Sequence, residues 1–263
     1  MQSPHEFMQD RRAVLSGVAS TLILGAVTRV SAQNVPIRVV AASDLKFALT
    51  ELAIRFEKET QLKLAITYGS SGNLARQLRQ GLPADLFLSA DEALISRLAK
   101  ALWARDEGVI YGRGTLVWMV QKTSKATLDE DLQGLLASLG NAGKLSIANP
   151  EHAPYGRAAQ SALRSLALLP SLHSRLVLGE SVTQATQFVS TGAAASGLVA
   201  LSLALAPELA STIRYVIVKP THYPPIIQRM ALSRLASGSA QKFYAFLQTD
   251  AAKGVLLANG LGL

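Results

Sequence analysis

The chain has 263 residues, enough for one large domain or two modest ones with cores of their own. It is 49% hydrophobic and 17% charged, with 19 glycines and 10 prolines, a balance that excludes collagen-like and disordered chains. The lack of cysteine removes disulfide scaffolds, thiol nucleophiles and thiolate metal sites, while a formal charge of +8 favours anionic partners.

Residues 1–32 read as an export signal. A polar start carries Arg11 and Arg12, an apolar run extends from Ala13 to Val27, and Val30-Ser31-Ala32 offers a small-residue cleavage site after Ala32. The run is shorter than the roughly 20 residues that a membrane-spanning helix needs. Arg11-Arg12 followed by Ala13-Val14-Leu15 resembles a twin-arginine signal; an ordinary Sec leader with two arginines is the alternative. Either way a periplasmic location is expected. Cleavage would remove Arg11, Arg12 and Arg29 together with Glu6 and Asp10, so the 26 basic and 18 acidic residues become 23 and 16, net +7. An exported bacterial protein meets no chromosomal DNA, and the chain carries no basic helix or recognisable nucleic-acid motif, so no nucleic-acid partner is expected. No later apolar run is long enough to span a bilayer, and a soluble mature protein, a monomer, is expected.

After the leader, Ile37–Ala42 is a short apolar run of the kind buried in parallel sheets. Ser43-Asp44 offers N-cap chemistry, and a helix is predicted from about Leu45 to Glu59 with Leu45, Leu49, Leu52, Ala53 and Phe56 inward. A strand over Leu62–Tyr68 leads into Gly69-Ser70-Ser71-Gly72-Asn73 and a helix through Leu78. Pro83–Ser89 gives the next strand, and Asp91 or Glu92 opens another helix. Gly112-Arg113-Gly114 precedes a β-prone run, Thr115–Val120; a helical stretch near Leu128–Leu139 and a strand at Leu145–Ala148 follow. A helix is predicted from Tyr155-Gly156 through Leu168, a strand at Leu176–Leu178 and a helix from Val182 to about Thr191. Strands at Gly197–Leu201, Ile213–Val218 and Ile226–Leu232, then helices from Ser239 onward, complete the chain. Strand–helix alternation with short loops predicts an α/β fold of mainly parallel sheets flanked by helices. It divides into two successive units, with the end of the chain returning to the first.

Four predicted strand-to-helix junctions share one property. At Ala42-Ser43-Asp44, Gly69-Ser70-Ser71-Gly72, Pro154-Tyr155-Gly156 and Ser181-Val182-Thr183, small or hydroxyl residues stand where a helix begins. Ligands of open α/β sheets collect at the carboxyl ends of the strands, facing these starts. Free N–H groups and the helix dipole make each start attractive to an anion. A single Ser or Asp at such a place is ordinarily a helix cap, so the anion site rests on several junctions converging.

The segments Val40-Ala41-Ala42-Ser43-Asp44-Leu45, Tyr68-Gly69-Ser70-Ser71-Gly72-Asn73-Leu74-Ala75-Arg76-Gln77 and Gly81-Leu82-Pro83-Ala84-Asp85-Leu86-Phe87-Leu88-Ser89-Ala90 carry a family resemblance. So do Ala148–Gly156, Gly197–Ser202 and Tyr223–Ile226, in the same order along the chain. The chain after residue 36 resembles the periplasmic molybdate-binding proteins, solute-binding components of molybdate ABC transporters. The resemblance implies a two-lobed periplasmic binding protein fold of type II: residues 33–114 with about 224–263 in one lobe, about 115–223 in the other, and the ligand between them. It implies a tetrahedral oxyanion, molybdate or tungstate, as ligand, a membrane permease as partner, no cofactor and no catalysis. Ser43 and Ser71 would give hydroxyl and backbone donors; Tyr155 and Val182 would give backbone N–H groups. Asp44, Ser70 and Asn73 are secondary candidates, and molybdenum would be held only through its oxygens. Some relatives place a tyrosine hydroxyl on the anion where this chain has Ala200, and the Tyr155 phenol is a candidate replacement. A buried carboxylate would repel a dianion, so Asp44 is expected to point away and cap its own helix.

Two other readings compete. The same fold could serve sulfate, phosphate or a metal chelate. A secreted hydrolase finds little support: His5, His152, His173 and His222 lack metal-ligand spacing, and Gly69-Ser70-Ser71-Gly72 is not a nucleophile elbow. His152, in the Pro150–Pro154 segment near the expected cleft, is read as a loop residue rather than a ligand.

Overall fold

A computed structural model describes residues 35–262; the expected export signal lies outside them. Among the described residues, ten strands form two five-stranded sheets. The first contains β1 (Ile37–Ala42), β2 (Leu64–Gly69), β3 (Leu86–Ser89), β4 (Val109–Gly114) and β10 (Ile226–Leu232) in the order β2-β1-β3-β10-β4. The second contains β5 (Leu116–Gln121), β6 (Leu145–Ala148), β7 (Leu176–Gly179), β8 (Ser196–Ala200) and β9 (Ile213–Ile217) in the order β7-β6-β8-β5-β9. Each sheet has three parallel strands, extended by an antiparallel one, β10 in the first and β5 in the second.

The helices are α1 (Lys46–Thr60), α2 (Ser71–Arg79), α3 (Glu92–Lys100), α4 (Leu135–Ser138), α5 (Pro154–Ser165), α6 (Leu169–Leu172), α7 (Val182–Ser190), α8 (Leu201–Ala204), α9 (Gly238–Phe246) and α10 (Asp250–Ala258). The chain passes from the first sheet to the second through Thr115 alone, and returns between Ile217 and Ile226. Two α/β lobes joined by two crossovers result, the α/β two-lobed architecture expected from the sequence.

Packing explains why the first-lobe strands read as continuous apolar runs. Helices cover both faces of the sheet, so alternate residues enter different cores. Val39, Ala41, Leu86 and Leu88 meet Leu45, Leu49, Leu52 and Phe56 with Phe243 on one face. Val40 and Phe87 meet Leu74, Leu78, Ile95 and Leu98 on the other. The second-lobe core surrounds Trp118, fully buried on β5, and extends to Ala42 and Ala90 of the first lobe.

Two local expectations are corrected. The helix expected near Leu128–Leu139 is only α4, four residues long. Asp129 accepts hydrogen bonds from the N–H groups of Gln133 and Gly134, and this local turn replaces the start of a regular helix. The segment ending in Gly112-Arg113-Gly114 is not a mere lead-in to the next strand but the last part of β4. It pairs with β10, and Arg113 exchanges backbone bonds of 2.7 and 2.9 Å with Gly262.

Candidate functional site

The helix starts at the ends of β1, β2, β6 and β7 face each other across the lobes and line a small cavity. Ser43, Asp44, Ser70 and Ser71 line it from the first lobe, Tyr155 and Val182 from the second. Asn73, the remaining candidate, is not in the wall: its amide donates to Glu180 at 3.4 Å and its oxygen accepts from Arg76.

Capping accounts for only one of these junctions. Ser181 caps α7, its Oγ accepting from the Gln184 N–H. Ser43 opens a short 3-10 turn without capping it. Ser70, at the N-cap of α2, shares its hydroxyl with His152 Nδ1 at 2.9 Å instead. Ala153, at the N-cap of α5, has no side-chain acceptor to offer. The first turns of α2, α5 and α7 hold the N–H groups of Ser71, Tyr155 and Val182, for which a helix supplies no internal acceptor. Ser71 Oγ accepts from the Ala90 N–H at 3.0 Å, which leaves its own proton to donate.

All of these donors are neutral, and among the described residues no Lys, Arg or His lines the cavity. Ser43, Ser71, Tyr155 and Val182 are each at most 5% exposed, so a bound group would be almost wholly withdrawn from water. Converging N–H and O–H groups at the positive ends of helix dipoles suit a small, fully ionised oxyanion, which offers only acceptors.

Asp44 departs from expectation. It does not cap a helix: the residue lines the cavity and is 1% exposed, and its carboxyl is taken up by Gln228 and Tyr155. Oδ2 accepts from Gln228 Nε2 at 2.7 Å and from the Tyr155 hydroxyl at 3.1 Å. The Tyr155 phenol is therefore committed to Asp44, and it does not serve as the replacement donor considered for Ala200. Burial raises the Asp44 carboxyl above its ordinary value, with the Gln228 and Tyr155 bonds opposing. Burial, and then the nearby Asp44, pushes the Tyr155 phenol well above its ordinary value.

The lobes also touch directly. Gly72 N–H donates to the His152 carbonyl at 2.9 Å, Thr183 Oγ1 to the Ser43 carbonyl at 3.0 Å and Ser202 Oγ to the Asp44 carbonyl at 2.8 Å. At the rim Arg157 pairs with Asp91 at 2.6 Å. His152, a loop residue as read, thus lies between Ser70 on one lobe and Glu180 on the other. Its role was invisible in the sequence because Ser70 lies 82 positions away. Gln228, 184 positions from Asp44, carried no signal at all.

Two lobes with paired crossovers, meeting over a small cavity of helix N-termini, define a protein that holds a small solute between its halves. The chain belongs to the bacterial extracellular solute-binding proteins: residues 37–262 match that family. Among its relatives, the molybdate-binding protein ModA of Azotobacter vinelandii is 35% identical over 178 residues, 65% of this chain and 67% of the relative. ModA of Rhodobacter capsulatus is 30% identical over 262 residues, 97% and 98% of the two chains. The solved structure of the periplasmic molybdate-binding protein of Azotobacter vinelandii superimposes with a TM-score of 0.78 at 29% identity, covering 86% of this chain and 99% of that one.

Proposed function

We propose that this protein binds molybdate in the interlobe cavity and delivers it to the permease of an ABC importer. The observation that carries the reading is the cavity itself: serine hydroxyls and helix N-termini from both lobes converge there, with no cationic side chain among the described residues that line it. Ser43 and Ser71 donate from the first lobe, and the Tyr155 and Val182 N–H groups donate from the second. The relatives named for molybdate support the choice of anion.

The mechanism follows from differential contacts. Only the closed arrangement lets both sets of donors reach one anion, so binding shifts the lobes toward closure. Fixed neutral donors tell molybdate from smaller sulfate by how many bonds form at once. Tungstate, nearly the same size and charge, is expected to bind alongside molybdate. The loaded shape is what a permease would recognise, and no bond of the anion is broken. A periplasmic location fits this role, and no helix among the described residues is long and apolar enough to cross a membrane.

Titration calorimetry with molybdate, tungstate, sulfate and phosphate tests the reading. Molybdate and tungstate should bind far more tightly than the other two; preference for sulfate or phosphate would reassign the ligand. Ser71→Ala removes one charge-assisted donor and should weaken molybdate binding by about 10- to 100-fold. An unchanged affinity would remove Ser71 from the site.

A further inference from the structure

One residue of the cavity lining, Asp44, has a side chain that the oxyanion reading does not use. Asp44 is almost wholly buried, and among the described residues no Lys, Arg or His pairs with it. Its neighbours come from both lobes: Gln228 on β10 and Tyr111 on β4 from the first, Tyr155 on α5 and Ser202 on α8 from the second. Among the described residues the titratable groups facing it are phenols, Tyr155 and Tyr111, with Tyr223 beside Tyr155. Both Tyr111 and Tyr155 are pushed up by burial and stay neutral.

The cluster is short of hydrogens. Oδ2 of Asp44 already accepts two, and the residue's own backbone N–H also favours the ionised carboxyl, but among the described residues Oδ1 of Asp44 and Oε1 of Gln228 are buried acceptors with no hydrogen-bond partner. An ionised carboxylate here would lack a counter-charge and lie out of water. One added proton answers both difficulties. We propose that Asp44 stands in the closed site as a neutral carboxylic acid at neutral pH, its proton on Oδ1, so that capture of the oxyanion takes up a proton. The inference rests on the oxyanion reading of this cavity.

The coupling has a definite sign. Opening the lobes separates Asp44 from Tyr155 and Ser202 and returns it to water, where it ionises at the ordinary carboxylate value. Burial on closure raises that value. Between the two values the closed form holds a proton that the open form has released, so raising the pH through this window weakens closure. For one proton the affinity falls by up to about tenfold per pH unit.

Calorimetry of molybdate binding from about pH 6 to about pH 8.5, in buffers of different ionisation enthalpy, reads both the affinity and the protons taken up. The wild type should bind more tightly toward the acid end, with uptake of up to about one proton per anion. Asp44→Asn should bind with neither pH slope nor uptake. Tyr155→Phe takes a donor from Oδ2, disfavours the ionised form and should carry the slope to higher pH. A wild type that binds molybdate with a flat profile and no uptake overturns the proton and leaves the ligand standing; so does an Asp44→Asn variant that keeps the slope. A wild type that binds none of molybdate, tungstate or sulfate overturns the oxyanion reading and this inference with it.

Discussion

Ser43 and Ser71 look alike in the sequence, yet the fold gives their hydroxyls different second duties. Ser71 Oγ accepts from the Ala90 N–H, so it ties α2 to the end of β3 as well as facing the cavity. Ser43 Oγ caps nothing, and it is the Ser43 carbonyl that accepts, from the Lys46 N–H and from Thr183 Oγ1. Replacing either by alanine should cost anion affinity. Only Ser71→Ala also strands a buried N–H, at a cost of about 1–3 kcal/mol. Thermal unfolding of the anion-free proteins should therefore show Ser71→Ala lowered by several degrees, roughly 2–4 °C per kcal/mol for a chain of this size. Ser43→Ala should melt within about a degree of the wild type. Equal melting temperatures would mean that the Ala90 bond contributes nothing.

At the level of elements, the helices and strands that build the cleft were legible because each obeys one local rule. The spacing of Leu45, Leu49, Leu52 and Phe56 fixes the buried stripe that ends in α1, and the apolar runs at β1 and β3 fit strands covered on both faces. The junction residues could be read as donors facing a ligand, since parallel strands deliver helix starts to one edge. What could not be read were bonds between distant parts of the chain: Asp44 with Gln228, or Ser70 with His152. Without those partners Asp44 reads as a helix cap, and a hydrophobic pattern cannot say otherwise. β4 was missed because glycines at 112 and 114 weaken its β signal while its pairing with β10 supplies the order. Gly72 shows what such a distant contact demands. It sits in the first turn of α2 with its N–H on the His152 carbonyl, and a Cβ there would lie 2.5 Å from that oxygen. Gly72→Ala should raise helix propensity by about 1 kcal/mol while obstructing the approach of the lobes. Unfolding of the anion-free variant should be unchanged or slightly raised, and molybdate affinity should fall at least about tenfold. A variant that binds as tightly as the wild type would show that the contact yields easily.

For the whole molecule the question is what holds the lobes together when no anion bridges them. The contacts at the rim are weak candidates. Arg157 and Asp91 retain 41% and 22% of their side-chain exposure, so their pair is screened and contributes about 0–1 kcal/mol. The deeper contacts, Thr183 on Ser43 and Ser202 on Asp44, are single neutral bonds of modest net strength. A bridging dianion with donors from both lobes outweighs each of them, because it makes charge-assisted bonds only when the lobes are together. The anion-free protein should accordingly open, and small-angle X-ray scattering should record a smaller radius of gyration when molybdate is added. Arg157→Gln should change molybdate affinity by no more than about fivefold, the equivalent of 1 kcal/mol, and the difference should fade as salt is raised. A loss of about 50-fold or more, persisting at high salt, would make the rim pair rather than the anion the tie between the lobes.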